Sequence, residues 1–372
     1  MLNQTRTIGF TAAGLCVLLL TGPVLSGDLE HVNVYVSGAD GYNTFRIPTI
    51  ETAPDGSLLA FAEARKHNAG DPGTGKNDID LVLKRSGDGG KTWSAMTVIE
   101  DPGDRWSAAN ASTVVDRRSG RVWVFYIRCK PGRGTHQARG GTDDMQVLAR
   151  TSDDSGKTWS DPIDLTPVAR DMSDKRWGAS VNGPGGAIQT SKGRLIVPVW
   201  GYPWRNFAIF SDDAGKTWRR GQCVPGEQTG DECQLVELAD GRVLMDFRQQ
   251  KGPHRYLSVS EDGGQTWSPV RAGQTVTPVM CAIERFSLKS AGAEQDRILW
   301  TGPKGPGRAN LVARVSYNEA RTFQNERPIY TGPAAYSDLT ILKDGAAGVL
   351  WERDNYKFIT FTRVDKSWLE PR

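Results

Sequence analysis

The sequence is poor in the residues that build metal centres. Its 372 residues include four histidines, His31, His67, His136 and His254, far apart, and no CxxC pair. Nothing therefore points to a histidine- or cysteine-ligated metal, and neither metal nor cofactor is expected. An excess of one charge is also missing. The 46 Lys+Arg against 43 Asp+Glu leave a formal net charge of +3, which speaks against a nucleic-acid partner. Long apolar runs are absent beyond the N-terminus, so no membrane span is expected. The run "IGFTAAGLCVLLL" (8–20) follows Arg6, is too short for a comfortable span, and leads into "TGPVLSGD" with small residues suited to cleavage near Ser26. Residues 1–26 read as a signal peptide, and a secreted or periplasmic chain follows from that reading. Cys16 lies within the run; the other four cysteines, Cys129, Cys223, Cys233 and Cys281, are even in number. Cys223 and Cys233 are the most local pair, and free buried thiols are the equal alternative.

Glycine and tryptophan, by contrast, are plentiful, with 42 and 12 copies, a combination suited to many tight turns closed by aromatic packing, as in all-β proteins. The turns are repeated. "SGDGGKTW" (86–93), "SDDSGKTW" (152–159), "SDDAGKTW" (211–218) and "SEDGGQTW" (260–267) all fit S-x-D-x-G-x-T-W. "SYNEARTF" (316–323) is a decayed copy, with Asn318, Ala320 and Phe323 at the altered positions. Each follows an apolar or alternating run, so each is a strand leading into a turn. Asp accepts turn amides, Gly permits positive φ and Trp packs beneath. These boxes are structural.

A second repeat lies between them: "DGSLLAFAE", "SGRVWVFY", "KGRLIVPVW", "DGRVLMDF", "QDRILWTG" and "DGAAGVLWE", six turn signals each followed by an apolar strand. Combining the repeats gives four strands per unit, the content of a propeller blade. The expected fold is all-β: a six-bladed β-propeller over residues 27–372, four antiparallel strands per blade, with the last blade closed by the N-terminal run "HVNVYVS" (31–37).

Propeller sites gather where inner strands converge, so the polar residues that interrupt or follow those strands are the candidates. They are Arg46, Arg65, Asp71, Glu232, Arg248, Arg308, Tyr336 and Glu352. Several arginines at one axis repel unless an anion or carboxylates lie between them. The site should therefore bind something negative, and the planar guanidinium fork suits a carboxylate.

"FRIP" around Arg46, the Asp-boxes, "FAEAR" with Asp71 six residues beyond Arg65, "ECQLVELADGRVLMDFR" and "AYSDL" together resemble the exo-α-sialidases (neuraminidases) over essentially the whole mature chain. The boxes alone are weak; their ordered combination with these motifs is specific. The resemblance implies a triad of Arg46, Arg248 and Arg308 on the sialic acid carboxylate. It also implies Asp71 as acid/base, Tyr336 as nucleophile with Glu232 as its partner, Glu352 steadying Arg46, and Arg65 in the pocket. Many family members have an aspartate where "SAANASTVVD" offers Asn110, which can still bind the sugar but also starts an Asn-Ala-Ser sequon.

The resemblance thus implies a retaining, metal-independent exo-α-sialidase acting, as a monomer, on sialylated glycans. A catalytically silent glycan-binding propeller is the alternative from another class. A trans-sialidase or a hydrolase of a related 2-keto sugar acid is the alternative on the same fold.

Overall fold

The computed structural model describes residues 29–226, 230–250 and 252–370; residues 1–26, expected from the sequence to be a signal peptide, lie outside them. It is an all-β chain. Among the described residues the helical segments are the single turns Thr166–Ala169, Lys289–Ala291 and Lys366–Leu369, and no helix is long and apolar enough to cross a membrane.

Among the described residues the strands form six antiparallel meanders of four strands each, taken below as units one to six. Their innermost strands are Thr44–Thr52, Ser107–Asp116, Ala179–Asn182 continued by Ile188–Gln189, Gly230–Glu237, Ala282–Ser287 and the second half of Gln324–Ile341. The six apolar segments read from the sequence are the second strands, from Leu58–Arg65 to Ala347–Arg353. They are buried almost throughout because both faces of a meander pack on neighbouring units. His31–Val36 pairs antiparallel with Phe358–Val364, so the N-terminal strand completes unit six. One boundary differs from what the motif "AYSDL" suggests, an inner strand beginning at Tyr336. Tyr336 does not begin a strand: the outer strand of unit five runs on without a break into the inner strand of unit six, through a register shift at Ala334/Ser337.

Each Asp-box is a closed hydrogen-bond set. In the first, Ser86 Oγ donates to Asp88 Oδ1 (2.8 Å) and accepts from Gly90 N (2.9 Å), while Thr92 N and Oγ1 donate to the two Asp88 oxygens (3.0 and 2.6 Å). These donors hold the Asp88 carboxyl well below its ordinary range, led by the Thr92 hydroxyl. In the decayed copy Asn318 reproduces the set, accepting from Thr322 N (2.9 Å) and donating to Thr322 Oγ1 (2.8 Å). The tryptophans reach farther than the turn above them. Trp93 meets Phe361 of unit six, Trp159 meets Phe61 of unit one, and Trp218 meets Trp123 and Phe125 of unit two. The box therefore staples its own unit to the preceding one, an aromatic contact of about 0.5–1.5 kcal/mol beyond area burial.

Neighbouring units are tied in sequence, mostly through their inner strands. Thr49 Oγ1 donates to Ala111 O, Asn182 Nδ2 to Asn110 O, and Cys233 N to Gly183 O. Ile283 N donates to Gln234 Oε1, Thr301 Oγ1 meets Ser337 Oγ, and Ile50 N donates to Asp338 Oδ2, returning to unit one. The four described cysteines are free thiols, so Cys223 and Cys233 are not paired.

Candidate active site

At the N-terminal ends of the inner strands lies a cavity of about 490 Å³, lined by Arg46, Arg65, Asp71, Asn110, Glu232, Arg248, Arg308 and Tyr336. Glu352 stands behind Arg46. The fold thus brings together all nine residues chosen from the sequence, from all units but the third.

What turns them inward is a set of backbone irregularities. The inner strands that carry Arg46, Asn110, Glu232 and Tyr336 each lose register there, at Arg46/Thr49, Ala109/Ser112, Gly230/Cys233 and Ala334/Ser337. Ile47 and Asn110 have φ of 56° and 54°, left-handed values that a β-branched isoleucine adopts only at a cost of about 1–3 kcal/mol. A bulge breaks the pleat's alternation and re-aims a side chain that a regular strand would direct elsewhere.

Tyr336 Oη donates to Glu232 Oε2 (2.7 Å) and accepts from Arg248 Nη1 (3.0 Å), which also holds Glu232 Oε2 (2.8 Å). The guanidinium carbons of Arg46 and Arg308 each lie 5.3 Å from the Tyr336 ring centre. Burial, then the charge of Glu232, pushes the Tyr336 hydroxyl well above the usual phenol range, against the pull of Arg248, Arg46 and Arg308. The resting tyrosine is neutral, with a proton acceptor already in place and three cations ready to stabilise a phenolate.

Glu352 receives Arg46 Nε (2.6 Å) and Nη2 (3.2 Å), and its oxygens also accept Ile47 N (3.0 Å) and Tyr336 N (3.1 Å). One buried carboxylate therefore fixes both the arginine and the backbone of the tyrosine. Burial works against the Arg46 charge, but Glu352 outweighs it and the guanidinium stays protonated. Arg65 is anchored by Glu63 Oε2 through Nε (3.0 Å) and Nη2 (2.7 Å), and its Nη1 reaches Ala69 O (2.6 Å) and Asp71 Oδ1 (3.1 Å). Asp71 itself is 81% exposed at the cavity mouth. Asn110 lines the cavity, and its Nδ2 is buried without a partner, so the sequon is not available to a glycan and the residue belongs to the pocket.

Four contributors escaped the sequence reading. Glu63, quoted within "FAEAR" but given no part, orients Arg65 and accepts Asn110 N (3.0 Å). Tyr356 stacks on Arg46 (4.0 Å to its ring centre) and accepts Arg308 Nη1 (2.7 Å). Asp231 is buried beside Glu232, and its carboxyl is raised first by burial and then by Glu232's charge. Trp200, with its ring stacked 5.9 Å from Trp204, forms the wall that unit three contributes. Of these, only Glu63 carried a local signal, an acid two residues before an arginine on one strand face.

A second cavity, of about 600 Å³, opens where the same inner strands end, lined by Glu51, Glu284 and Asp338 together with Arg117, Arg285 and Glu237 and a number of apolar side chains. It holds no tyrosine and no arginine triad. Burial first, then neighbouring acids, raises Glu51 to about 8 and Glu284 to about 7; burial raises Asp338 to about 6. Folded pKa values above the unfolded ones mean stability that is fully present below about pH 4 and is lost as pH rises through 6–8. The urea midpoint is therefore expected to fall between pH 5 and pH 8, and Glu51→Gln to flatten that fall; a midpoint that rises over this window contradicts the assignment.

Comparison with known proteins bears on the family and the fold. Residues 56–349 match the BNR repeat-like domain, which places the chain among the Asp-box repeat proteins. The curated relatives include a sialidase of Micromonospora viridifaciens, 30% identical over 360 residues covering 90% of this chain and 53% of its own, and one of Bacteroides fragilis, 28% identical, covering 92% and 66%. The chain belongs to the sialidase family. It spans about half to two thirds of the length of those relatives. Among solved structures, the Hadza microbial sialidase Hz136 superposes with a TM-score of 0.80 at 25% identity, covering 90% of this chain and 68% of that one. The intramolecular trans-sialidase of Ruminococcus gnavus shares the fold, with a TM-score of 0.76 at 20% identity, covering 92% and 98%.

Proposed function

We propose that the chain is an exo-α-sialidase that removes terminal α-linked sialic acid from glycoconjugates with retention of configuration, on a closed six-bladed propeller. The observation that carries this is the Tyr336–Glu232 hydrogen bond set among Arg46, Arg248 and Arg308. The closed propeller is supported by the hydrogen bonds that link each unit to the next and the sixth to the first.

The three guanidinia take the substrate carboxylate. That carboxylate sits on the anomeric carbon, so a carboxylate nucleophile would face an anion, and a tyrosine avoids the repulsion; sialidases are the known tyrosine exception among retaining glycosidases. Asp71 donates its proton to the leaving oxygen as the glycosidic bond breaks, while Tyr336 Oη passes its proton to Glu232 and bonds the anomeric carbon. Asp71, now ionised, takes a proton from water, whose oxygen attacks the same carbon. The Tyr336 oxygen leaves and recovers its proton from Glu232. Two inversions give retention. The N-terminal apolar run supports export, and we place the protein outside the cytoplasm, acting as a monomer.

The test is release of free sialic acid from a fluorogenic α-sialoside and from a sialyl-oligosaccharide. Binding without release would favour the silent glycan-binding propeller; transfer to an added acceptor would favour the trans-sialidase; neither release nor binding would turn attention to related 2-keto sugar acids. Asp71→Asn sharpens the result. A poor leaving group needs protonation and a phenolic one does not, so the variant is expected to lose about 10²–10⁴-fold on the oligosaccharide and far less on the fluorogenic substrate's first step. Equal losses on both would remove Asp71 from the acid role.

A further inference from the structure

A cluster of carboxylates outside the cavity has no part in the mechanism above. One oxygen each from Asp78, Asp80 and Asp101 lies within 4.8 Å of the others. Asp78 and Asp80 are two apart at the start of the strand Ile79–Ser86, so their side chains share a face, and Asp101 follows the edge strand Thr97–Glu100 that pairs with it. Asp78 and Asp80 are 5% and 2% exposed, yet Oδ1 of each has no hydrogen-bond partner. Their Oδ2 atoms are engaged, by Lys66 Nζ (3.0 Å) and by the Tyr42 hydroxyl respectively. A buried carboxylate oxygen without a donor is costly, and two of them within one cluster of three carboxylates more so. With all three acids ionised, three carboxylates and the Lys66 ammonium leave two negative charges, the complement of a divalent cation.

We propose that Asp78, Asp80 and Asp101 form a binding site for a hard divalent cation, Ca²⁺. Oxygen-only ligands on a partly solvent-open rim suit calcium, which accepts carboxylates and waters in flexible geometry. The site sits at the base of the connection 66–78 that carries Asp71, where Lys66 N donates to Asp78 O (2.8 Å) and Ile79 N to Trp106 O (3.0 Å). A cation there ties both ends of that connection to the turn at 101–103, whose Gly103 N donates to Asp101 Oδ1 (2.9 Å). Histidine and cysteine spacing is the local metal signal of a sequence, and three acids that only the fold brings together leave none. A second group, His67, Asp78 and Asp104, shares Asp78 but adds a nitrogen ligand, so His67 and Asp101 tell the two apart.

The test is calorimetric titration of CaCl₂ into the full chain after chelator treatment, a readout that does not depend on the glycosidase reading. One site per chain is expected, with a dissociation constant of about 0.1–1 mM, as in extracellular calcium modules. Saturating calcium should raise the melting temperature by about 3 °C. Asp101 is exposed, so Asp101→Asn should fold normally and weaken binding at least tenfold, whereas His67→Ala should leave it unchanged. No heat and no thermal shift up to about 10 mM, or unchanged binding in Asp101→Asn, overturns the proposal. So does binding of Zn²⁺ alone that is lost in His67→Ala.

Discussion

Tyr336→Phe is expected to lower kcat on a sialoside by about a thousandfold or more, an increase of about 4 kcal/mol in the barrier, with little change in KM. The geometry is why binding should survive. The phenylalanine keeps the ring beside which Arg46 and Arg308 lie, and Arg248 still holds Glu232 at 2.8 Å, so no buried charge is left unpaired. Stability should change by about 1 kcal/mol, the worth of one hydrogen bond. Glu232→Gln removes the proton acceptor and should cost a similar factor. Because the two residues act as one unit, the double variant should be little worse than either single one. A Tyr336→Phe protein with kcat within tenfold of the parent would show that the hydroxyl is not the nucleophile.

How far the sequence foretold this site follows from how local each signal is. The Asp-boxes are contained in eight residues, and each box's hydrogen bonds span at most four positions, so composition and spacing reveal them completely. The second strands are apolar because they are buried on both sides, which the sequence also shows. The resemblance pointed to residues as distant as Arg46 and Glu352 because each sits in its own motif. Tyr356 and Asp231 had no such marker: one matters through stacking on an arginine 310 positions away in the chain, the other through the charge of its neighbour. The bulges were equally silent. Positive φ at Ile47 runs against the residue's intrinsic preference, so local propensity predicts a regular strand where tertiary contacts impose an irregular one. The reach of the box tryptophans into the preceding unit was missed for the related reason that unit-to-unit packing leaves no periodic trace.

Arg46→Ala is expected to damage both folding and function, and the two losses can be separated. Glu352 is fully buried, and without its arginine it keeps only the amides of Ile47 and Tyr336, so stability should fall by about 3–5 kcal/mol. Arg46→Lys keeps a positive charge for Glu352 and is expected to fold. A lysine cannot, however, hold that carboxylate through two nitrogens while offering a third to a substrate, which the fork of Arg46 does by giving Nε and Nη2 to Glu352 and leaving Nη1 over. The expected result is a fall in kcat/KM of about a hundredfold, mostly in KM, equivalent to about 3 kcal/mol of lost carboxylate binding. The checks are denaturant unfolding for the first effect and steady-state kinetics for the second. A sialoside reduced to the alcohol at its carboxyl should bind the parent about as weakly as the normal substrate binds Arg46→Lys, and should not be weakened further by the substitution. If Arg46→Lys keeps kcat/KM within threefold, the arginine in this strand serves the fold alone, through Glu352 and the backbone of Tyr336, and the anion must be held by Arg248 and Arg308.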